Sequence, residues 1–104
     1  MVNLTPHAIN LEKDGEILTI EPSGIVTRVE MVNSKSTEEE FVTNATVLAI
    51  IDLPKPQENT YFITSMIVAQ ATERKDVLAP DTNNATRNES GHIVSIPGLV
   101  RYIK

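Results

Sequence analysis

The chain has 104 residues, a formal net charge of −5 and no cysteine. This length predicts a single domain over residues 1–104, which can bury roughly two-thirds of its unfolded surface in one core. The absence of cysteine excludes disulfides and thiolate metal sites. The acidic balance argues against nucleic acid as a partner, because binding without sequence preference needs clustered lysines and arginines.

The start of the chain lacks the basic and apolar segments of a signal peptide. No apolar stretch approaches the ~20 residues of a membrane span. We therefore expect a cytoplasmic protein with no membrane contact.

The first 22 residues predict a β-hairpin. Asp14-Gly15 is typical of a two-residue type I′ turn. That turn sets the pairs Lys13 with Glu16, Leu11 with Leu18, and Ile9 with Ile20. Continuing the alternation places His7 on the same face as Ile9, at the end of the apolar pattern.

Two further strands follow, separated by a polar segment. Residues 25–32 alternate, with Val29 and Met31 on one face and Arg28 and Glu30 on the other. Residues 33–44 predict a mobile loop or an edge insertion. Residues 46–53, TVLAIIDL, form the most apolar run and predict a central strand.

The stretch of residues 60–80 predicts a strand followed by the main helix. Residues 61–63 have strand composition, and Thr64 or Ser65 is a good N-cap for a helix over about residues 65–73. Periodicity alone does not separate helix from strand in the apolar run MIVAQA. As a helix, it is apolar on nearly all sides and must be buried.

The last quarter predicts a second hairpin, with strands at 84–87 and 92–96, a positive φ at Gly91, and a final edge at 99–103. The whole pattern predicts a small α+β domain. It would have a mainly antiparallel sheet of about seven short strands and one main helix.

Several motifs taken together resemble a group of small phage, prophage and bacterial proteins that open with an LTPHAIN-like motif. They are LTPHAIN, EPSG-x-x-x-R, LP-x-P before TYFITS-x-x-VAQA, ERKD-x-L-x-P, and a closing hairpin of the N-x-x-G type. The resemblance covers most of the chain and implies a phage or prophage origin. Small phage proteins of this size often act against host defences, as sponges for nucleotide signals or as stoichiometric inhibitors, so the resemblance implies an anti-defence role by analogy.

The start of the helix is a candidate anion site. Unpaired backbone N–H groups there attract phosphate, and the hydroxyls of Thr64 and Ser65 can add donors. Arg28, Arg74 or Lys75 can supply positive charge if the fold brings them near. The alternative is plain capping of a core helix, with Arg74 paired to a neighbouring acid.

Two other side chains join this hypothesis. His7 can contact a ligand, and Tyr61 can stack on a base. No metal-type spacing links His7 to His92, so no metal site is expected. The sequence predicts no catalytic residue and no cofactor. The predicted ligand-binding residues are His7, Arg28, Tyr61, Thr64, Ser65, Arg74 and Lys75.

These features favour a non-enzymatic protein that binds and sequesters a small anionic, nucleotide-derived ligand. Because a small domain has few deep clefts of its own, a homo-oligomer is expected. A stoichiometric protein-binding inhibitor or accessory subunit is the alternative, suggested by the acidic residues 38–40 and by exposed strand edges. A small hydrolase using His7 is a third possibility, for which no orienting partner is visible.

Overall fold

Ten strands, one α-helix and one 3₁₀ turn form the regular structure of residues 1–103, the part of the chain that the computed structural model describes. In chain order the elements are β1 (Val2–Asn3), β2 (Ile9–Lys13), β3 (Glu16–Ile20), β4 (Arg28–Lys35), β5 (Thr43–Ile51), β6 (Phe62–Ile63), α1 (Met66–Ala71), β7 (Val77–Pro80), a 3₁₀ helix (Thr82–Asn84), β8 (Thr86–Arg87), β9 (Ile93–Ser95) and β10 (Leu99–Val100). Within residues 1–103, none of the helices is both long and apolar enough to cross a membrane.

A four-stranded central sheet, in the order β1-β6-β7-β10, carries much of the core. β1, β6 and β7 run parallel, with Phe62 beside both Val2 and Val77, and β10 runs antiparallel to β7. Phe62, Ile63 and Ala79 are almost completely buried. β6 and β7 each have a neighbour on both edges, which accounts for their apolar composition.

The α+β class holds, but the expected arrangement of about seven strands in one mainly antiparallel sheet is wrong. The strands form four separate sheets: the central sheet and the hairpins β2-β3, β4-β5 and β8-β9. The parallel pairing of β1 with β6 joins two-residue strands about 60 positions apart. No local residue pattern encodes such a pairing, whereas hairpins follow from the turn between them.

The first hairpin has the predicted register. Ile9 lies opposite Ile20, Leu11 opposite Leu18 and Lys13 opposite Glu16. Asp14 and Gly15 both have positive φ, 54° and 82°, as a type I′ turn requires. The predicted positive φ at Gly91 is also confirmed, at 81°.

β4 and β5 form a two-stranded antiparallel ribbon, here called the ribbon. The prediction that residues 46–53 form a central strand is therefore wrong: the strand covers Thr43–Ile51 and pairs only with β4. The segment 33–44, expected to be a mobile loop or edge insertion, is partly strand, because β4 continues to Lys35 and β5 begins at Thr43; residues 36–42 form the turn between them. The apolar composition of residues 46–53 correctly predicted a strand. Composition alone does not indicate how many neighbouring strands pair with it.

The helix is shorter than predicted, covering Met66–Ala71 instead of residues 65–73. Ser65 is the N-cap, and its hydroxyl oxygen accepts a hydrogen bond from the N–H of Val68. Thr72 is already extended and ends the helix. Of its six residues, only Val68 and Ala69 are buried. The expectation that the whole helix is buried is therefore met only in part.

Candidate functional site

A cleft of about 460 Å³ lies where the three parallel strands of the central sheet reach their carboxyl ends. We name it the strand-end cleft. It is lined by Thr5, His7, Ala8, Ile9, Asn10, Thr64, Ser65, Met66, Pro80, Thr82, Ile93, Val94, Ser95 and Ile96. Ligands of open α/β sheets bind outside the carboxyl ends of the strands, and pockets of roughly 300–1,000 Å³ hold small molecules. Position and size therefore both fit a small ligand.

Three predicted site residues meet in this cleft: His7, Thr64 and Ser65. His7 follows β1, and the other two directly follow β6. Because β1 and β6 are parallel neighbours, the residues after them come to the same edge of the sheet. This pairing brings His7 close to Thr64 and Ser65, which are more than 50 positions away in the sequence.

The loop that carries His7 is fixed by the buried side chain of Asn3. The amide nitrogen of Asn3 donates to the carbonyl oxygens of His7 at 2.8 Å and Ile20 at 3.0 Å. Its amide oxygen accepts from the backbone N–H and the hydroxyl of Thr5, at 2.9 and 2.6 Å. All the hydrogen-bonding groups of the amide are thus used, and the backbone of His7 is held in place.

The imidazole of His7 is exposed and has no hydrogen-bond partner among residues 1–103. Its two ring nitrogens are therefore available to a ligand. The fold fixes the backbone under this side chain and leaves the ring itself unused, an arrangement suited to contacting a ligand.

The two hydroxyls after β6 differ in what they offer. Thr64 is completely buried, and its hydroxyl lies within hydrogen-bond distance of the carbonyl oxygens of Ser65 and Leu78. It therefore supports the turn into α1. The Ser65 hydroxyl uses a lone pair to accept from Val68, so its hydrogen remains available to donate into the cleft.

The remaining walls are mainly apolar. Ile9 and Ile96 are buried at the base, while Met66, Ile93 and Val94 are half exposed. The polar side chain of Asn10 is already used: it donates to the carbonyl oxygen of Val94 and accepts from the hydroxyl of Thr19. Among the described residues, the cleft thus combines an apolar body with three unused polar groups: the imidazole of His7 and the hydroxyls of Ser65 and Thr82.

Backbone pairing between β2 and the end of β9 closes one side of the cleft. The N–H of Glu12 donates to the carbonyl oxygen of Ile96, and the N–H of Ile96 donates to that of Asn10. The hairpins formed by residues 9–20 and 86–95 therefore meet edge to edge. The sequence predicted both hairpins but not their contact, and so it missed Asn10, Ile93 and Val94 as lining residues.

The predicted cations do not line the strand-end cleft. Arg28 lies at the base of the ribbon, where its guanidinium is 4.0 Å from the carboxylate of Asp52 and both side chains are more than half exposed. Arg28 is not among the residues that line the cleft, so it does not join Ser65 there.

Arg74 is held inside the protein. It makes two hydrogen bonds to the carboxylate of Asp76, at 3.0 and 2.7 Å, and a third to the carbonyl oxygen of Pro54. Its guanidinium also lies over the ring of Phe62, 5.7 Å from the centroid. The hydrogen bond from Arg74 lowers the pKa of Asp76, and burial opposes this only in part. These contacts favour the structural alternative for Arg74.

Tyr61 and Lys75 lie together in a second, shallower depression of about 550 Å³, at the opposite ends of β6 and β7. Arg101 joins them: it stacks over the ring of Tyr61 at 5.9 Å and donates to the carbonyl oxygen of Lys75 at 2.8 Å. Arg101 was not singled out from the sequence, because nothing near the chain terminus marks it as a neighbour of Tyr61. The predicted residues are thus divided between two places.

Comparison of the chain with protein-family models, with curated proteins and with solved structures finds no match.

Proposed function

We propose that this protein binds and sequesters a small, nucleotide-derived ligand in the strand-end cleft, without chemically changing it. The observation that carries the proposal is the convergence of His7 and Ser65, from distant parts of the chain, at one apolar cleft on the carboxyl edge of the parallel strands. Fixed backbone beneath unused side-chain groups is what a preorganised binding site requires.

The chemistry of the lining favours a ligand with a flat, weakly polar body and one polar or anionic head. Ile9, Met66 and Val94 offer a surface on which a nucleobase can lie. The ring of His7 and the hydroxyl of Ser65 can bind a phosphate or sugar oxygen. His7 is the cleft residue that can carry a positive charge, so it is the candidate partner for an anionic group.

The surroundings of His7 support binding without turnover. A general base needs a group that orients it and a nucleophile within hydrogen-bond reach. No carboxylate lines the strand-end cleft, and Ser65 is engaged in capping α1. Together with the resemblance to small phage proteins, this supports a sponge that removes a nucleotide signal.

Thermal-shift measurements against cyclic dinucleotides, ADP-ribose, cyclic ADP-ribose and NAD test the proposal. A ligand at 100 times its Kd stabilises the folded state by about 2.7 kcal/mol, which raises Tm by about 4–8 °C per kcal/mol in a domain of this size. We expect one member of the panel to give such a rise. No rise with any member near 1 mM would refute the proposal for these ligands.

The matched variants are His7→Ala and His92→Ala, which remove the two histidines of the chain. Both side chains are exposed, but only His7 lines the strand-end cleft. We expect His7→Ala to abolish the ligand-induced rise in Tm and His92→Ala to preserve it. An equal loss in both variants would place the ligand elsewhere.

A further inference from the structure

The two faces of the ribbon differ sharply in character. Because side chains alternate along a strand, Val29 and Met31 share one face of β4. The residues opposite them on β5 are Ile50 and Val47. The register shift at Met31 leaves Leu48 without a partner, and alternation from Ile50 places it on this face too. The other face carries Arg28, Glu30, Ser34, Asn44 and Thr46 in addition to Val32, Ala49 and Ile51.

The protein covers only the base of the apolar face. Val29 and Ile50, at the base of the ribbon, are half-buried, but Met31, Val47 and Leu48 are 43%, 44% and 63% exposed. An isolated two-stranded sheet is marginally stable in water. The radius of gyration, 16.0 Å, also exceeds the roughly 13 Å of a compact chain of this length.

We propose that the apolar face of the ribbon is a dimer interface that packs against the same face of a second copy of this chain. Two stacked sheets form the smallest architecture in which an apolar sheet face is buried. A two-fold axis allows the same surface to serve both copies.

The distribution of charge on this face favours a second copy of the chain over a strongly charged partner. Along the apolar face the charged residue is Lys35, at the far end of β4. When two ribbons pack antiparallel about a two-fold axis, the two Lys35 side chains lie at opposite ends of the contact. No like charges then meet, even though each chain carries a net charge of −5. A strongly charged partner would find no complementary groups at the centre of this face.

The required area brings α1 into the interface. At about 3.3 Å per residue, eight residues and two strands give the ribbon a flat footprint on the order of 250 Å². A standard interface takes about 800 Å² from each partner. Met66 and Ile67 of α1 are 50% and 52% exposed, and α1 contacts both ribbon strands. We assign Ile67 to the interface together with Met31, Val47 and Leu48. The contact stays smaller than a standard interface, so we expect a weak dimer that forms at the higher concentrations.

Sedimentation velocity of the full chain over a range of concentrations tests the dimer. We expect the unaltered chain to sediment as two copies. Leu48→Lys should weaken the dimer by at least about 100-fold, since it buries an unpaired charge in the contact. Thr46→Lys, on the opposite face of the same strand, should leave the dimer intact. A monomeric unaltered chain, a dimeric Leu48→Lys variant, or equal dissociation of both variants would each overturn the proposal.

Cysteine labelling gives a second measurement that does not depend on a disruptive charge. The chain has no cysteine, so Leu48→Cys and Leu18→Cys each introduce a single thiol. The two leucines are almost equally exposed in one copy, 63% and 61%, and both lie in hairpin strands. We expect a maleimide to label position 48 at least tenfold more slowly than position 18, and dilution to the monomer to remove the difference. Equal labelling rates at concentrations where the chain is dimeric would exclude the ribbon face.

Discussion

β7 of the central sheet and β5 of the ribbon both contain an apolar run, but only that of β7 is buried. All four residues of β7 are buried or half-buried, whereas six of the nine residues of β5 are exposed. β7 has strands on both edges and α1 against it, while β5 has one neighbouring strand. The difference shows that burial depends on how many layers surround a strand, and one six-residue helix cannot cover two sheets.

This comparison also separates two tasks within the molecule. The central sheet supplies the rigid strand ends from which the strand-end cleft is built. The ribbon adds little to the core and presents an apolar face to its surroundings. A small chain that retains such a face gives up stability of its own for contact with another molecule.

The largest contrast between the two regions is expected at the two phenylalanines. Phe62 lies in the central sheet and is 1% exposed, whereas Phe41, in the turn of the ribbon, is completely exposed. Phe62→Ala should lower the free energy of unfolding by about 3–5 kcal/mol, because it leaves a cavity and removes the ring beneath Arg74. Phe41→Ala should leave the free energy of unfolding of one copy unchanged.

Urea denaturation of both variants, followed by circular dichroism, measures this contrast. It is best carried out on a background with Leu48→Lys, so that dimer dissociation does not contribute. If Phe41→Ala proves as costly as Phe62→Ala, the ribbon turn is packed within one copy and the contrast drawn between the two regions is wrong.

A somewhat smaller effect is expected at Asn3, which is buried, compared with Asn44, which is exposed on the more polar face of the ribbon. Asn3→Ala removes the amide donor to the carbonyl oxygens of His7 and Ile20, with only the hydroxyl of Thr5 still donating to that of His7, and should cost about 3 kcal/mol. Because the loop carrying His7 is released, any ligand-induced rise in Tm should also shrink. Asn44→Ala, measured by the same melting curves, should change neither quantity; an Asn3→Ala variant with full ligand response would show that the loop is held by other contacts.

The sequence predicted local structure well where turn chemistry decides it. Asp14-Gly15 specified the first hairpin to the residue, and Ser65 was predicted as a cap for α1. The prediction failed where pairing is non-local. β1 and β6 are only two residues long, and their parallel contact depends on a buried Asn3 that no periodicity marks. The same limit applies to the candidate site: His7, Thr64 and Ser65 were each singled out. For Arg74 the sequence left two alternatives, a ligand contact or pairing with a neighbouring acid, and only its contacts with Asp76 and Pro54 favour the second.

The smallest expected effect distinguishes the two ion pairs. Arg74 and Asp76 are in direct contact at 2.7 Å and mostly buried, whereas Arg28 and Asp52, at the base of the ribbon, are 4.0 Å apart and largely exposed. Asp76→Asn should cost about 2 kcal/mol at pH 7, since it removes two charge-assisted hydrogen bonds. Asp52→Asn should have no measurable effect, because exposed pairs at this distance contribute little.

The pH dependence of unfolding identifies the Asp76 pair more specifically than the loss of stability does. Arg74 holds the pKa of Asp76 below its ordinary value of 3.8 in the folded protein. A lowered folded-state pKa means that the unfolded chain binds the proton more tightly, so the contribution is complete above the unfolded pKa and is lost as the pH falls through the folded one. Melting curves between pH 7 and pH 2 should therefore show a steeper loss of Tm below about pH 4 in the unaltered chain than in Asp76→Asn. Below about pH 4, the fall of Tm with pH in Asp52→Asn should match that in the unaltered chain. If the fall of Tm were less steep in Asp52→Asn, the Arg28–Asp52 pair would be the one that stabilises the protein in acid. The distance and exposure of the two pairs would then not predict their strength.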